Sequence, residues 1–355
     1  MPDAEQPARP GPHAAGIVGL GGYLPELVVT NAMLSSRLDT SDEWILSRTG
    51  IAERRVAAEG QSTSDLAIEA GLRALRSAGR RPVQALVLAT TTPDFRCPAT
   101  GPYVASQLGL GQIPAFDVSA VCSGFIYAMS VAVAFVRSGQ YESVLVVAAE
   151  KFSTLIDPDD RNTACLFGDG AGAVVVSRVP AGSPGEILSV GLQSDGRLEG
   201  LIKIEAGGSR HPIWPDQLSV LQREALFLRM QGQDVFTAAV TSMASAVTDI
   251  LQSVGWSLDD VNWLVGHQAN KRILNLLSKS LGLPPEKACV HLDEAGNTAG
   301  ASIPLALTAK SGQFQTGDRM VLTSFGAGAT WGALAMTWPE MPVVELTHAR
   351  GRTSP

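Results

Sequence analysis

Two kinds of apolar stretch alternate along the chain. Short runs rich in valine, leucine and alanine, at 85–89, 143–149, 261–265 and 320–323, have the length and composition of buried strands. Between them lie longer amphipathic stretches of helical period. The stretch FIYAMSVAVAFV (125–136) is apolar nearly all round, which predicts a helix buried on every side. The order helix, strand, loop, strand, helix, strand, glycine turn, strand can be read twice. It predicts an α/β fold with mixed sheets around buried central helices.

The two readings echo each other in sequence. ALRSAG (74–79) resembles ILQSVG (250–255), and SGQY (138–141) resembles SGQF (311–314), at nearly the same spacing. Gly170-Ala-Gly-Ala-Val resembles Gly326-Ala-Gly-Ala-Thr. A duplication follows, with one half over 15–180 and the other over 181–338. In this alignment Cys122 falls opposite Asn297-Thr298. Residues 1–14, polar and proline-rich, read as a disordered arm, and 339–355 as a tail.

Composition narrows the function. The chain has 355 residues, 45% hydrophobic and 17% charged, with 36 glycines. That suits a glycine-turn-rich α/β enzyme of two units. A net charge of −7 makes nucleic acid an unexpected partner. The four cysteines, Cys97, Cys122, Cys165 and Cys289, show no C-x-x-C spacing, so no metal site is expected and a reducing compartment is. The 126–136 run is too short for a bilayer, which takes about 20 residues. A cytoplasmic enzyme without membrane contact is the expectation.

One cysteine sits in an unusual place. In FDVSAVCSGF (116–125), Cys122 falls between a strand and the all-apolar helix. Backbone N–H groups converge at a helix N-terminus, and the helix dipole favours a thiolate there. A free cysteine is also a small buried hydrophobe. His267 follows an apolar run and fits an interior histidine, and Asn297 fits a helix cap after Gly296.

Seven motifs together resemble the β-ketoacyl-ACP synthase III family, which has the thiolase-like fold of layered α-β-α-β-α halves. They are DEWILSRTGIAERR (42–55), AVCSGF (120–125), DDRNTACLFGDGAGAVVV (159–176), AGGSR (206–210), MQGQDVF (230–236), GHQANKRI (266–273) and GNTAGASIP (296–304). The resemblance implies Cys122 as nucleophile, with His267 and Asn297 stabilising an enolate. It implies an oxyanion hole from the backbone N–H groups of Cys122 and Ala327. No cofactor is implied, since CoA and ACP thioesters are substrates. Trp44 and Arg161 match residues flanking the CoA adenine, and Arg48 is a candidate to meet a phosphate. Gly208, Phe236 and Asn270 match the pantetheine tunnel. Lys271, Arg272 and Lys279, in an acid-free stretch, match the docking face for an acidic acyl carrier protein. The implied partners are acyl-CoA, malonyl-ACP and a second copy of the chain in a homodimer.

The residue before the proline of TTTPDFRCP gates the acyl pocket in the family and reaches it across the dimer. Here it is Cys97, with Phe95 and Thr91 nearby. A gate smaller than the phenylalanine of some members leaves room for a primer larger than acetyl. No cysteine follows Cys289, which departs from thiolases. The expected reaction is acyl transfer to Cys122 and decarboxylative condensation with malonyl-ACP. The alternative is an acyltransferase that passes the acyl group to an alcohol, amine or carrier thiol.

Overall fold

The computed structural model describes residues 14–213 and 223–348. Seven strands precede residue 180: β1 (Ala14–Leu24), β2 (Leu27–Thr30), β3 (Glu53–Val56), β4 (Ala85–Ala89), β5 (Ala115–Val118), β6 (Ser143–Glu150) and β7 (Gly170–Val179). Seven follow: β8 (Ile187–Ser194), β9 (Ile202–Lys203), β10 (Arg229–Met230), β11 (Trp263–Gly266), β12 (Arg319–Gly326), β13 (Thr330–Thr337) and β14 (Thr347–His348). The α-helices are α1 (Asn31–Ser35), α2 (Asp42–Thr49), α3 (Thr63–Ser77), α4 (Gly101–Gln107), α5 (Gly124–Arg137), α6 (Arg161–Ala164), α7 (Gly232–Val254), α8 (Lys271–Leu281), α9 (Leu292–Ala295) and α10 (Ser302–Ala309).

A six-stranded sheet runs β14-β1-β7-β6-β4-β5 and a four-stranded sheet runs β11-β12-β13-β8. The sheets repeat one pattern. β4 is parallel to β6, β6 antiparallel to β7, and β7 antiparallel to β1. β11, β12, β13 and β8 have the same order and senses. ALRSAG closes α3 and ILQSVG closes α7, while SGQY follows α5 and SGQF follows α10.

Burial orders the layers. α3 covers the outer face of the larger sheet, α7 packs on the outer face of the smaller, and α5 and α10 lie between the sheets. This gives five layers, α-β-α-β-α. α5 buries Phe125, Ile126, Met129 and Val133 against both sheets, as its all-round apolar sequence requires. Among the described residues α7 alone is long and apolar enough to cross a membrane. Its Met243, Val247 and Ile250 are buried, in one cluster with residues of β12 and β13. Ala14, assigned to the arm by sequence, opens β1 instead. The expected tail returns to the larger sheet, where β14 pairs with Tyr23 and Leu24. Backbone pairing there outweighs its lack of a strand-like pattern. The rest of the arm and residues 349–355 lie outside the described residues.

Candidate active site

Cys122 lies in a single 3-10 turn, Val121–Ser123, that leads into α5. Val121 has φ +48°, a left-handed conformation that is costly for a β-branched residue. Ala299, at φ +45°, opens the matching turn before α10. These two strained residues are structural mates, so Cys122 matches Gly300. The sequence alignment to Asn297-Thr298 was displaced, because its matches lay elsewhere and a loop of different length intervenes.

The turn is tied to the other half. Ser123 Oγ donates to the Thr330 carbonyl at 2.9 Å, and Thr330 Oγ1 donates to the Ala120 carbonyl at 3.2 Å. Gly326, at the end of β12, lies flat against the Cys122 turn. A Cβ there would stand 2.9 Å from the Cys122 nitrogen. The glycine thus brings the start of the 326–328 turn beside the Cys122 backbone N–H, while Ala327 is not among the residues that line the cavity.

His267 directly follows β11 and is buried. Its Nδ1 lies 2.6 Å from Ser302 Oγ. Asn297 enters through β-bridge pairing with Phe167, and its Oδ1 accepts from the Ala299 N–H at 2.9 Å. That bond orients the amide and leaves Nδ2 for another acceptor. Cys122, His267 and Asn297 all line one cavity of about 670 Å³.

Burial governs the titration of the site. It pushes the Cys122 thiol up to about 12, with the Glu150 charge adding to the effect. It pushes the Glu150 carboxyl up to about 8, against hydrogen bonds from Thr91, Thr92 and Gly300. Glu150 is therefore mostly neutral at pH 7, and desolvation is the main cause for the thiol. It holds His267 down to about 4. The resting site is a neutral thiol beside a neutral imidazole. Burial of Cys122 opposes the helix terminus, which by itself favours a thiolate.

The cavity mouth gathers α2, α6 and α8. Ser41 caps α2, holding Trp44 N at 3.1 Å. Arg161 lies over the Trp44 ring, 5.1 Å from its centroid, and donates to the Asp39 carbonyl at 2.7 Å. The two expected flanks of a base are thus stacked on each other. Arg48, Phe236 and Asn270 also line the cavity. Asn270 has a second task that sequence reasoning missed: it caps α8 at the Arg272 N–H (2.8 Å) and donates to the Arg48 carbonyl (3.0 Å). Arg272 lies over Phe236 at the mouth, and Lys271, Arg272 and Lys279 are all exposed.

Four expected residues lie elsewhere. Gly208 is outside the cavity lining, in a loop closed on itself by Gly207 N to the His211 carbonyl. Thr91, Phe95 and Cys97 do not line the chain's own cavity. Thr91 is turned to Glu150, to which its N–H (3.0 Å) and hydroxyl (3.2 Å) donate. Phe95 and Cys97 are exposed, in the loop between β4 and α4. Glu150 lies in no quoted motif, and Ser302 lies in GNTAGASIP without being singled out, since the meaning of both depends on what they touch. Among the described residues no three His, Cys, Asp or Glu side chains converge as a metal site.

Known proteins share this arrangement. Family models for 3-oxoacyl-[acyl-carrier-protein] synthase III and for its C-terminal part match residues 116–196 and 251–338. β-Ketoacyl-[acyl-carrier-protein] synthase III 3 of Streptomyces coelicolor is 49% identical, covering 93% of this chain and 99% of its own. The corresponding crystal structure from Pseudomonas aeruginosa superposes with a TM-score of 0.86 at 44% identity, over 93% of this chain and 99% of that one. A priming β-ketosynthase from a polyketide biosynthetic pathway superposes with a TM-score of 0.85 at 33% identity, over 94% and 98%. The five layers, with a thiol at the terminus of a central helix, define a condensing acyltransferase of thiolase-like fold. The chain belongs to the β-ketoacyl-acyl carrier protein synthase III family.

Proposed function

We propose that this protein initiates chain synthesis by joining an acyl primer to malonyl-ACP. The reading rests on the convergence of Cys122, His267 and Asn297 on one cavity, with the Asn297 amide already turned to offer N–H. Cys122 Sγ attacks the acyl-CoA carbonyl, the C–S bond to CoA breaks, and the thiol proton leaves with the CoA sulfur. The N–H groups of Cys122 and Ala327 hold the oxyanion. Malonyl-ACP then loses carbon dioxide, and the enolate oxygen accepts from the His267 ring and Asn297 Nδ2. The enolate carbon attacks the acyl carbonyl, releasing β-ketoacyl-ACP and a Cys122 thiolate that takes a proton from solvent.

Trp44, Arg48 and Arg161 receive the CoA head, for which Arg161 must part from Trp44. Lys271, Arg272 and Lys279 favour an acidic carrier protein, since the chain is acidic elsewhere. Exposed Phe95, exposed Tyr103 and the unpaired edge of β5 favour a homodimer across this edge, which would carry Cys97 to a partner's pocket. A small gate there favours primers larger than acetyl.

The test is intact-mass measurement after incubation with a panel of acyl-CoAs, beside Cys122→Ala, followed by malonyl-ACP. The expected result is one acyl group on Cys122, discharged with release of carbon dioxide. Discharge only to an alcohol, amine or other thiol supports the simple acyltransferase. No loading on Cys122 rejects both.

A further inference from the structure

The His267 ring makes a single hydrogen bond among the described residues, and the geometry there selects where its proton sits. Ser302, the first residue of α10, places Oγ 2.6 Å from Nδ1. The same Oγ accepts from the Gln268 N–H at 3.2 Å. A backbone N–H can only donate, so this bond occupies one lone pair of Ser302. The hydroxyl proton then has one acceptor within reach among the described residues, His267 Nδ1.

The backbone that aims the Gln268 N–H is itself held. Gln268 Nε2 donates to the carbonyls of Gly266 (2.7 Å) and Cys289 (3.1 Å), and its Oε1 accepts from the His291 N–H (2.8 Å). All these groups are buried. Water does not offer Ser302 a substitute donor or acceptor.

We propose that Ser302 is the positioning residue of the site: its hydroxyl donates to Nδ1 of His267 and fixes the ring proton on Nε2. The tautomer of a histidine follows from the bond its other nitrogen makes. An Nε2–H stabilises a developing enolate oxygen. The opposite tautomer presents a lone pair to the same oxygen and repels it. The second central helix thus serves the histidine as the first serves the nucleophile. The catalytic part of this inference rests on the function proposed above; the tautomer itself does not.

The ring 15N shifts of histidine-labelled protein read the tautomer directly, without substrate, with His267 assigned by its absence in His267→Gln. The wild-type ring is expected as the single Nε2–H form, and Ser302→Ala is expected to populate both forms. Wild type with the proton on Nδ1, or a ring unchanged in Ser302→Ala, overturns the proposal. In kinetics, Ser302→Ala is expected to slow malonyl-ACP condensation by roughly 100-fold while Cys122 acylation stays within about twofold. Ser302→Thr, which keeps the hydroxyl, is expected to recover most of the loss. Equal slowing of both half-reactions in Ser302→Ala overturns the kinetic part. Failure of every acyl-CoA to load on wild-type Cys122 would instead reject the proposed function and leave the tautomer result standing.

Discussion

Asn297 illustrates how a side chain in this site is committed before substrate arrives. Its Oδ1 is taken by the Ala299 N–H, so only the Nδ2 end is offered to the cavity. Asn297→Asp replaces that donor with a carboxylate facing the enolate. The expected outcome is a loss of roughly 100-fold or more in condensation, with Cys122 acylation nearly intact. Single-turnover acylation and steady-state condensation separate the two; equal losses would remove Asn297 from the enolate step. Gly326 is committed in another way. A Cβ in Gly326→Ala meets the Cys122 nitrogen at 2.9 Å, where backbone has to move. Overpacking of this kind costs about 1–3 kcal/mol. A lowered urea midpoint with slowed acylation is expected, and a variant with wild-type acylation would show that the turn is not part of the site.

The elements at the cavity mouth are short, and their caps position the functional groups. Ser41 starts α2 about two turns before Arg48, and Gly50, at φ +77°, ends it against the Cβ of Lys271 on α8. Asn270 starts α8 and holds the Arg48 carbonyl, so α2 and α8 move as one rim. The Arg161–Trp44 stack closes that rim. Trp44→Ala removes the ring offered to the CoA base, a contact of about 1 kcal/mol, so kcat/KM for acyl-CoA is expected to fall about fivefold, through KM. An unchanged KM would place the CoA head elsewhere. On α8, Lys279→Glu is expected to raise KM for malonyl-ACP and not for acyl-CoA, with the difference fading at high salt. A change in both constants alike would argue against docking on this helix.

Across the whole molecule, the duplication has been put to unequal use. The N–H of Cys122 lies beside Gly326, at the end of β12. Its mate, Gly300, donates instead to the Glu150 carboxyl at the end of β6. The same turn meets a glycine in one half and a carboxyl in the other. Glu150 titrates at about 8 in the fold against an ordinary value of 4.5. A raised carboxyl contributes stability that is full below the ordinary value and is lost as pH rises through about 8. Wild-type urea midpoints should therefore fall from about pH 6 to about pH 9, and Glu150→Gln, which stays neutral, should fall less. His267, held at about 4, acts in the opposite sense: its contribution is present above about 6.5 and is lost as pH drops toward 4. Identical pH profiles for wild type and Glu150→Gln would show that Glu150 is not titrating there.

Much of this was legible in the chain. The apolar all-round stretch at 125–136, the paired ALRSAG/ILQSVG and SGQY/SGQF segments and the turn at Cys122 are local patterns. Local patterns set which faces must be buried, and so the layers and the central helices. The triad could be named because its motifs are contiguous in sequence. What remained hidden depends on distance through space. The protonation of Cys122 follows from how much protein surrounds it, which no motif records. Ser302 acts on His267 across 35 positions and Glu150 meets Thr91 across 59. The pairing of Cys122 with Gly300 emerged only from strand register and two left-handed residues. Gly208 matched a motif but lies outside the cavity lining, and Phe95 and Cys97 are turned to solvent. Burial patterns are written along the chain, but the partner of a buried polar group is chosen by packing, which brings together residues that no local pattern connects.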